Sequence, residues 1–225
     1  TTPATIDITA QTVNLTNGAQ IKADTSGAAR AGNIAFNVGT LRANMNPDGT
    51  PIPSAFGVMI RSASNHLSSS AGPAGTVTVS GPGAEPTDAA TLVTLSRTTL
   101  STEVTGSRAD KPGTISITAD TVVLQDQTSI FSNTGSGSGG VESFESVTPA
   151  GNIFLNVDTL RAHNNVFITS SSVGEFDVFN GTQLPKSFIN LGDAGTITIR
   201  GITAGSAATA VTFANMELRT AGSGG

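Results

Sequence analysis

The stretch Ala150-Gly151-Asn152-Ile153-Phe154-Leu155-Asn156-Val157-Asp158-Thr159-Leu160-Arg161-Ala162 has a close copy in Ala31-Gly32-Asn33-Ile34-Ala35-Phe36-Asn37-Val38-Gly39-Thr40-Leu41-Arg42-Ala43, and 11 of 16 positions agree when the comparison runs on to Asn165 and Asn46. Both copies place an apolar residue at every second position after an Ala-Gly corner, which is the period of a strand with one buried face. A phrase that restarts along a chain marks units too small to bury an apolar face alone, so they stack and share a core.

Six such units can be read. They open at Thr5-Ile6-Asp7-Ile8, Ile34, Gly75-Thr76-Val77, Gly113-Thr114-Ile115, Ile153 and Gly195-Thr196-Ile197, and each continues with two further short apolar runs. The second unit is interrupted by Asn46-Pro47-Asp48-Gly49-Thr50-Pro51-Ile52-Pro53, a corner loop, because proline cannot donate to a strand ladder and Pro-Asp-Gly favours a tight turn. A Gly/Ser tract at Gly135–Gly140 reads as flexible. Units three apart match best, so the chain reads as a single solenoid domain over 1–225 holding a three-coil block twice, 1–108 and 109–225. The expected fold is all-β: a right-handed parallel β-helix of about six coils, three short strands per coil, with loops at the corners. Parallel pairing of equivalent strands at about 4.8 Å gives a rod of about 30 Å. An antiparallel β-sandwich is the rival, although a sandwich gives no reason for the same phrase to restart.

Composition limits the functions. Gly, Thr, Ser and Asn are abundant and only 12% of residues are charged, which suits strands and corners rather than helices. A net charge of −5 without a basic stripe argues against a nucleic-acid surface. Zero cysteines remove disulfides and thiolate metal sites and are compatible with bacterial secretion. No run of about 18 apolar residues points to membrane insertion. No charged-then-apolar leader opens the sequence, so the expectation is a processed chain or a segment of a longer one.

The phrases Ala-Gly-Asn-Ile-x-Leu-Asn-Val-Asp-Thr-Leu and Gly-Thr-Ile-Ser-Ile-Thr-Ala-Asp-Thr-Val-Val-Leu, the latter followed by Ser129-Ile130-Phe131-Ser132, resemble the repeats of filamentous-haemagglutinin-like exoproteins, the large β-helical surface proteins of bacteria. The resemblance covers nearly all of the chain outside the loops. It implies an extracellular or cell-surface location and a role in adhesion, and it brings no catalytic residues with it.

Chemistry-bearing residues are sparse. Asp120 and Asp158 follow the first strand of successive units and form a conceivable carboxylate pair, yet the equivalent positions in the first block are Gln11 and Gly39. Asp before Thr at a corner more often caps a turn. His66 and His163 lack partners at ligand spacing, so no metal or cofactor is expected. Arg42 and Arg161 recur at one outward position, and Glu175 and Asp177, with Lys186 nearby, lie in a long insert; these are the candidates for contact with a glycan or other partner. The remaining candidates are the two ends of the stack. There Ile6, Ile8, Val13 and Leu15 on one side, and Val211, Phe213, Met216 and Leu218 on the other, lie on strand edges open to another chain. The expected function is a non-enzymatic structural rod, for adhesion or for a filament or tandem array built head to tail from its own copies. A polysaccharide lyase or hydrolase, or a glycan-binding adhesin module, is the alternative on the same fold.

Overall fold

The computed structural model describes residues 3–26, 28–46, 48–52, 56–83, 88–109, 112–135, 149–172 and 192–222. Among these, all regular structure is strand. In chain order the strands are β1 (Thr5–Leu15), β2 (Gln20–Lys22), β3 (Asn33–Ala43), β4 (Val58–Arg61), β5 (Ser64–Ala71), β6 (Val77–Ser80), β7 (Ala90–Ser96), β8 (Thr98–Ser101), β9 (Val104–Ala109), β10 (Thr114–Gln125), β11 (Ser129–Phe131), β12 (Thr134–Gly135), β13 (Asn152–Ser171), β14 (Ile197–Arg200) and β15 (Ala210–Ala221).

Every pair of these strands is parallel. The antiparallel sandwich is thereby excluded. Pairing proceeds level by level. β1 pairs with β3, β3 with β6 and β7, these two with β10, β10 with β13, and β13 with β14 and β15. A second series runs β2, β4, β8, β11 and again β13, so that the long β13 joins both series into one 12-stranded sheet.

The levels differ from the expected three short strands in two respects. The first two runs form one strand in β1, β3 and β10, and in β13 all three are continuous over 20 residues. The corner between these runs is a single step. The register passes from Ala10↔Val38 to Thr12↔Thr40, and from Ala119↔Val157 to Thr121↔Thr159, omitting one residue per strand. That omission also shifts the alternation. Ile34, Phe36 and Val38 are buried, two residues intervene, and Leu41 and Ala43 are buried again. A strict period of two would have turned the second run outward. The other difference is an additional run on three levels, β5, β9 and β12, which forms a separate three-stranded sheet. Its sequences, such as Ser64-Asn65-His66-Leu67-Ser68, carry no apolar alternation by which a strand could be recognised.

The core consists of columns, each built from one residue per level. Ile6, Ile34, Val77, Ile115, Ile153 and Ile197 follow one another in register, as do Val13, Leu41, Val93, Val122, Leu160 and Val211. A third column is Ile21, Ile60, Leu100, Ile130, Ile168 and Leu218. Interior members are fully buried, and each such side chain contributes roughly 1.5–3 kcal/mol.

Two polar columns fix the corners. Gly32, Gly75, Gly113, Gly151 and Gly195 occupy one register position, and a Cβ on any of the last four would lie far inside contact distance of the carbonyl oxygen of the preceding glycine. Beside them runs a buried hydroxyl column of Ser62, Thr102, Ser132 and Ser170. Ser62 Oγ donates to Gly32 O at 2.6 Å and accepts from Gly75 N at 3.0 Å. Ser132 Oγ donates to Gly113 O at 2.9 Å, and Ser170 Oγ to Gly151 O at 2.5 Å. At the opposite corner the backbone turns left-handed on every level, at Asn17, Asn44, Arg97, Asp126, Asn164 and Asn215. Four of the six are Asn, whose short polar side chain tolerates that conformation. Asn44 is fully buried; its amide donates to Ser96 O and Arg97 O, both at 3.3 Å, and its Oδ1 accepts from Asn17 N at 3.2 Å.

Gly113→Ala is expected to destabilise the protein by about 3 kcal/mol or more, because the Gly75 backbone carbonyl stands in the way of the new methyl, with Thr102 Cβ close beside it. Gly49→Ala, at φ +86° in open space, should cost only about 1–2 kcal/mol. Urea midpoints for the two variants check the contrast, and equal losses would show that the glycine column is not tight. Asn44→Ala should cost about 1–3 kcal/mol by stranding buried backbone groups, measured in the same way.

Candidate functional site

The open ends are the places where the regular construction stops. Among the described residues β1 pairs only with β3, and β14 and β15 only with β13. Ile6, Ile8, Val13 and Leu15 on β1 are half-buried and packed against the core, with no strand paired on their other side among the described residues. On β15, Val211 and Phe213 are each 43% exposed and Leu218 45%, whereas Leu160, Ala162 and Ile168, one level inward in the same columns, are at most 1% exposed. Met216 is half-buried against the core. The edges therefore present apolar columns cut across together with unpaired strand backbone.

The ends also differ in charge along one outward column. Thr9, Asn37, Ser80, Thr118, Asn156 and Arg200 lie in register. Asn37 Nδ2 donates diagonally to Asp7 Oδ1 at 2.8 Å at the β1 end, and Arg200 Nε donates to Asn156 Oδ1 at 2.7 Å at the β14 end. The column thus begins beside a carboxylate and finishes in a guanidinium. Composition alone could not reveal this; it needs the register.

The sequence-derived surface candidates are not brought together. Arg42 stands in register between Asn14 and Thr94, and Arg161 between Val123 and Thr212. They share an outward column but lie three levels apart, on the order of 14 Å. Glu175, Asp177 and Lys186 fall outside the described residues, as does most of the Gly/Ser tract, 136–140. Asp120 and Asp158 occupy the omitted step of the ladder on adjacent levels, both exposed. Neither makes a side-chain hydrogen bond among the described residues. His163 is half-buried in β13, in register with Gln125 and Ala214. The backbone of His66 is in β5. Among the described residues no group of three or more His, Cys, Asp or Glu is arranged to hold a metal ion.

Two ionic details matter for the first levels. Arg61 Nε lies 3.0 and 3.1 Å from the Asp24 carboxylate oxygens, with Nη2 joining them. The hydrogen bonds to Asp24 raise the Arg61 pKa above its ordinary value; burial opposes them, and the charges of Asp24 and Glu103 add smaller upward effects. In the loop after β3, the Thr50 hydroxyl and amide donate to Asp48 Oδ1 at 2.6 and 2.9 Å and hold that carboxyl below its ordinary range. Gly49 N donates to Asn46 O and Asn46 N to Thr50 O, closing the tight turn expected from Asp-Gly.

A scan against protein-family models matches no family, and searches of curated proteins and of solved structures find no significant match.

Because the Asp48 pKa is depressed in the folded protein, its contribution is present above the unfolded value of about 3.9 and is lost as pH falls through the lower folded value. An NMR titration should place the Asp48 midpoint below that of an unstructured Asp, and Thr50→Ala should return it to the ordinary range. An unchanged midpoint in the variant would show that Thr50 is not the cause. Asp24→Ala should cost less than about 1 kcal/mol, since the pair with Arg61 is partly exposed and screened.

Proposed function

We propose that the chain winds as a right-handed parallel β-helix and serves as a non-enzymatic structural rod, secreted to or displayed on a bacterial surface, where copies stack head to tail into an adhesive or filament-forming array. Level-by-level parallel register supports the winding, and crossover connections between parallel strands are right-handed in nearly all folds. The observation that carries the assembly reading is the exposure of Val211, Phe213 and Leu218, in columns whose inner members are buried. A second copy presenting Ile6, Val13 and Ile21 continues each column with a residue of the same kind. The internal resemblance makes the match specific, because Thr5 to Thr25 resembles Thr114 to Thr134. The β1 level laid on β14 and β15 therefore repeats the seating of β10 on β6 and β7. Such a contact is heterologous and does not close, so it propagates.

Phe213→Lys would place a charge in the joint while leaving an already exposed position in the single chain. Light scattering and negative-stain microscopy over a concentration series should show rods lengthening for the natural protein and single particles for the variant. Single particles for both at the highest attainable concentration would overturn the assembly reading. New reducing ends or unsaturated products from a panel of acidic and neutral polysaccharides would overturn the non-enzymatic one.

A further inference from the structure

The glycine column is complete at one end of the stack and broken at the other. At the β15 end Gly195 stands over Gly151, and Thr220, in register with Ser170, continues the hydroxyl column. At the β1 end the glycine position is occupied by Ala4, one residue before the register pair Thr5↔Asn33. The direction of contact decides what this means. A Cβ at the glycine position of any level collides with the carbonyl of the level before it, as at Gly75, Gly113, Gly151 and Gly195. Among the described residues no strand lies before β1, and Ala4 is exposed. The cost arises only when something is stacked on that end.

We propose that a second copy seats its β1 end on the β14 and β15 edge in the register of the internal levels, and that Ala4 is the residue that keeps this joint weaker than the internal ones. The inference rests on the stacking reading above. In that register the Ala4 methyl points at the Gly195 carbonyl of the other copy, where four internal levels tolerate only glycine. Ala4 cannot simply swing aside, because its carbonyl accepts the Asn33 amide at 2.9 Å and so belongs to the first ladder. The joint must open locally, and the hydrogen bond that the Ala4 amide of one copy would donate to the Thr220 hydroxyl of the other is stretched. Charge selects the second copy as occupant: Arg200 ends its column beside the incoming Thr9, with the Asp7 carboxylate two residues away on the same face. A like-charged contact, Lys22 against Arg219 in the same register, weakens the joint further, with Glu217 and Asp24 flanking it diagonally. The outcome is a reversible joint between stable blocks.

The test compares the natural chain with Ala4→Gly, Ala4→Val and Phe213→Lys by sedimentation velocity across a concentration series, with the thermal midpoint of dilute single particles as the control for folding. Ala4→Gly should lower the concentration at which stacks form by tenfold or more, and Ala4→Val should raise it by a similar factor. All the midpoints should stay within a few degrees, because Ala4 is exposed in the single chain. Equal assembly of the natural chain, Ala4→Gly and Ala4→Val, with Phe213→Lys still blocking it, would overturn the role of Ala4 and leave stacking intact. Assembly that Phe213→Lys does not weaken, or none by either the natural chain or Ala4→Gly, would overturn the stacking reading itself and this inference with it.

Discussion

Backbones that lie directly over one another at the glycine column set the terms for the rest of this structure. Where Gly113 passes Gly75, the space between the two chains is less than a methyl group requires. An approach that close is useful only if the polar groups it buries are paired: the Ser62, Ser132 and Ser170 hydroxyls donate to the glycine carbonyls, and Ser62 also accepts from the Gly75 amide of the next level. With one corner pinned in this way, the rise between levels is fixed, and every side chain along the strand meets its equivalent in the next level. The apolar columns are a consequence. A hydrophobic core assembled from unlike residues can settle in many arrangements, whereas one pinned at a rigid corner has a single register available.

The left-handed corner makes a complementary contribution. Asn44 joins three successive levels through one buried side chain, and the same backbone conformation recurs above and below it. Glycine at one corner and asparagine at the other divide the work between close approach and sharp turning. Serine and threonine hydroxyls satisfy the groups that neither corner can. An unusual composition follows, with few charges and few aromatics, because each level repeats the same small set of geometric demands.

Much of this architecture was legible from residue order. The alternating runs at Ile34, Phe36 and Val38, and the correspondence between Thr5–Thr25 and Thr114–Thr134, identify the core positions and the parallel order, because a buried column demands the same residue type on each level. The missing features lack an apolar signal. β5, β9 and β12 are mostly Ser, Thr, Gly, Asn and Ala, with apolar residues such as Leu67 and Val104 standing singly rather than in alternation. The single omitted step between Ala10 and Thr12 resembles a break between strands when only hydrophobicity is read. The exposed edges could be named from the sequence, but the obstruction proposed at Ala4 could not, since it depends on which way a glycine faces its neighbour. Asp120 and Asp158 were legible as neighbours, and their adjacency is real, yet both stand in the open at a corner.

The corner after β3 has one more implication. Between β1 and β2 the chain turns from Leu15 to Gln20, and between β3 and β4 it travels from Ala43 to Val58, yet Ile21 and Ile60 still meet in register. A detour of several extra residues leaves the stack beneath it unaltered. Each corner therefore acts as a fixed address at which new loops can be displayed, and the surface repertoire of such a molecule can diversify while its scaffold stays constant.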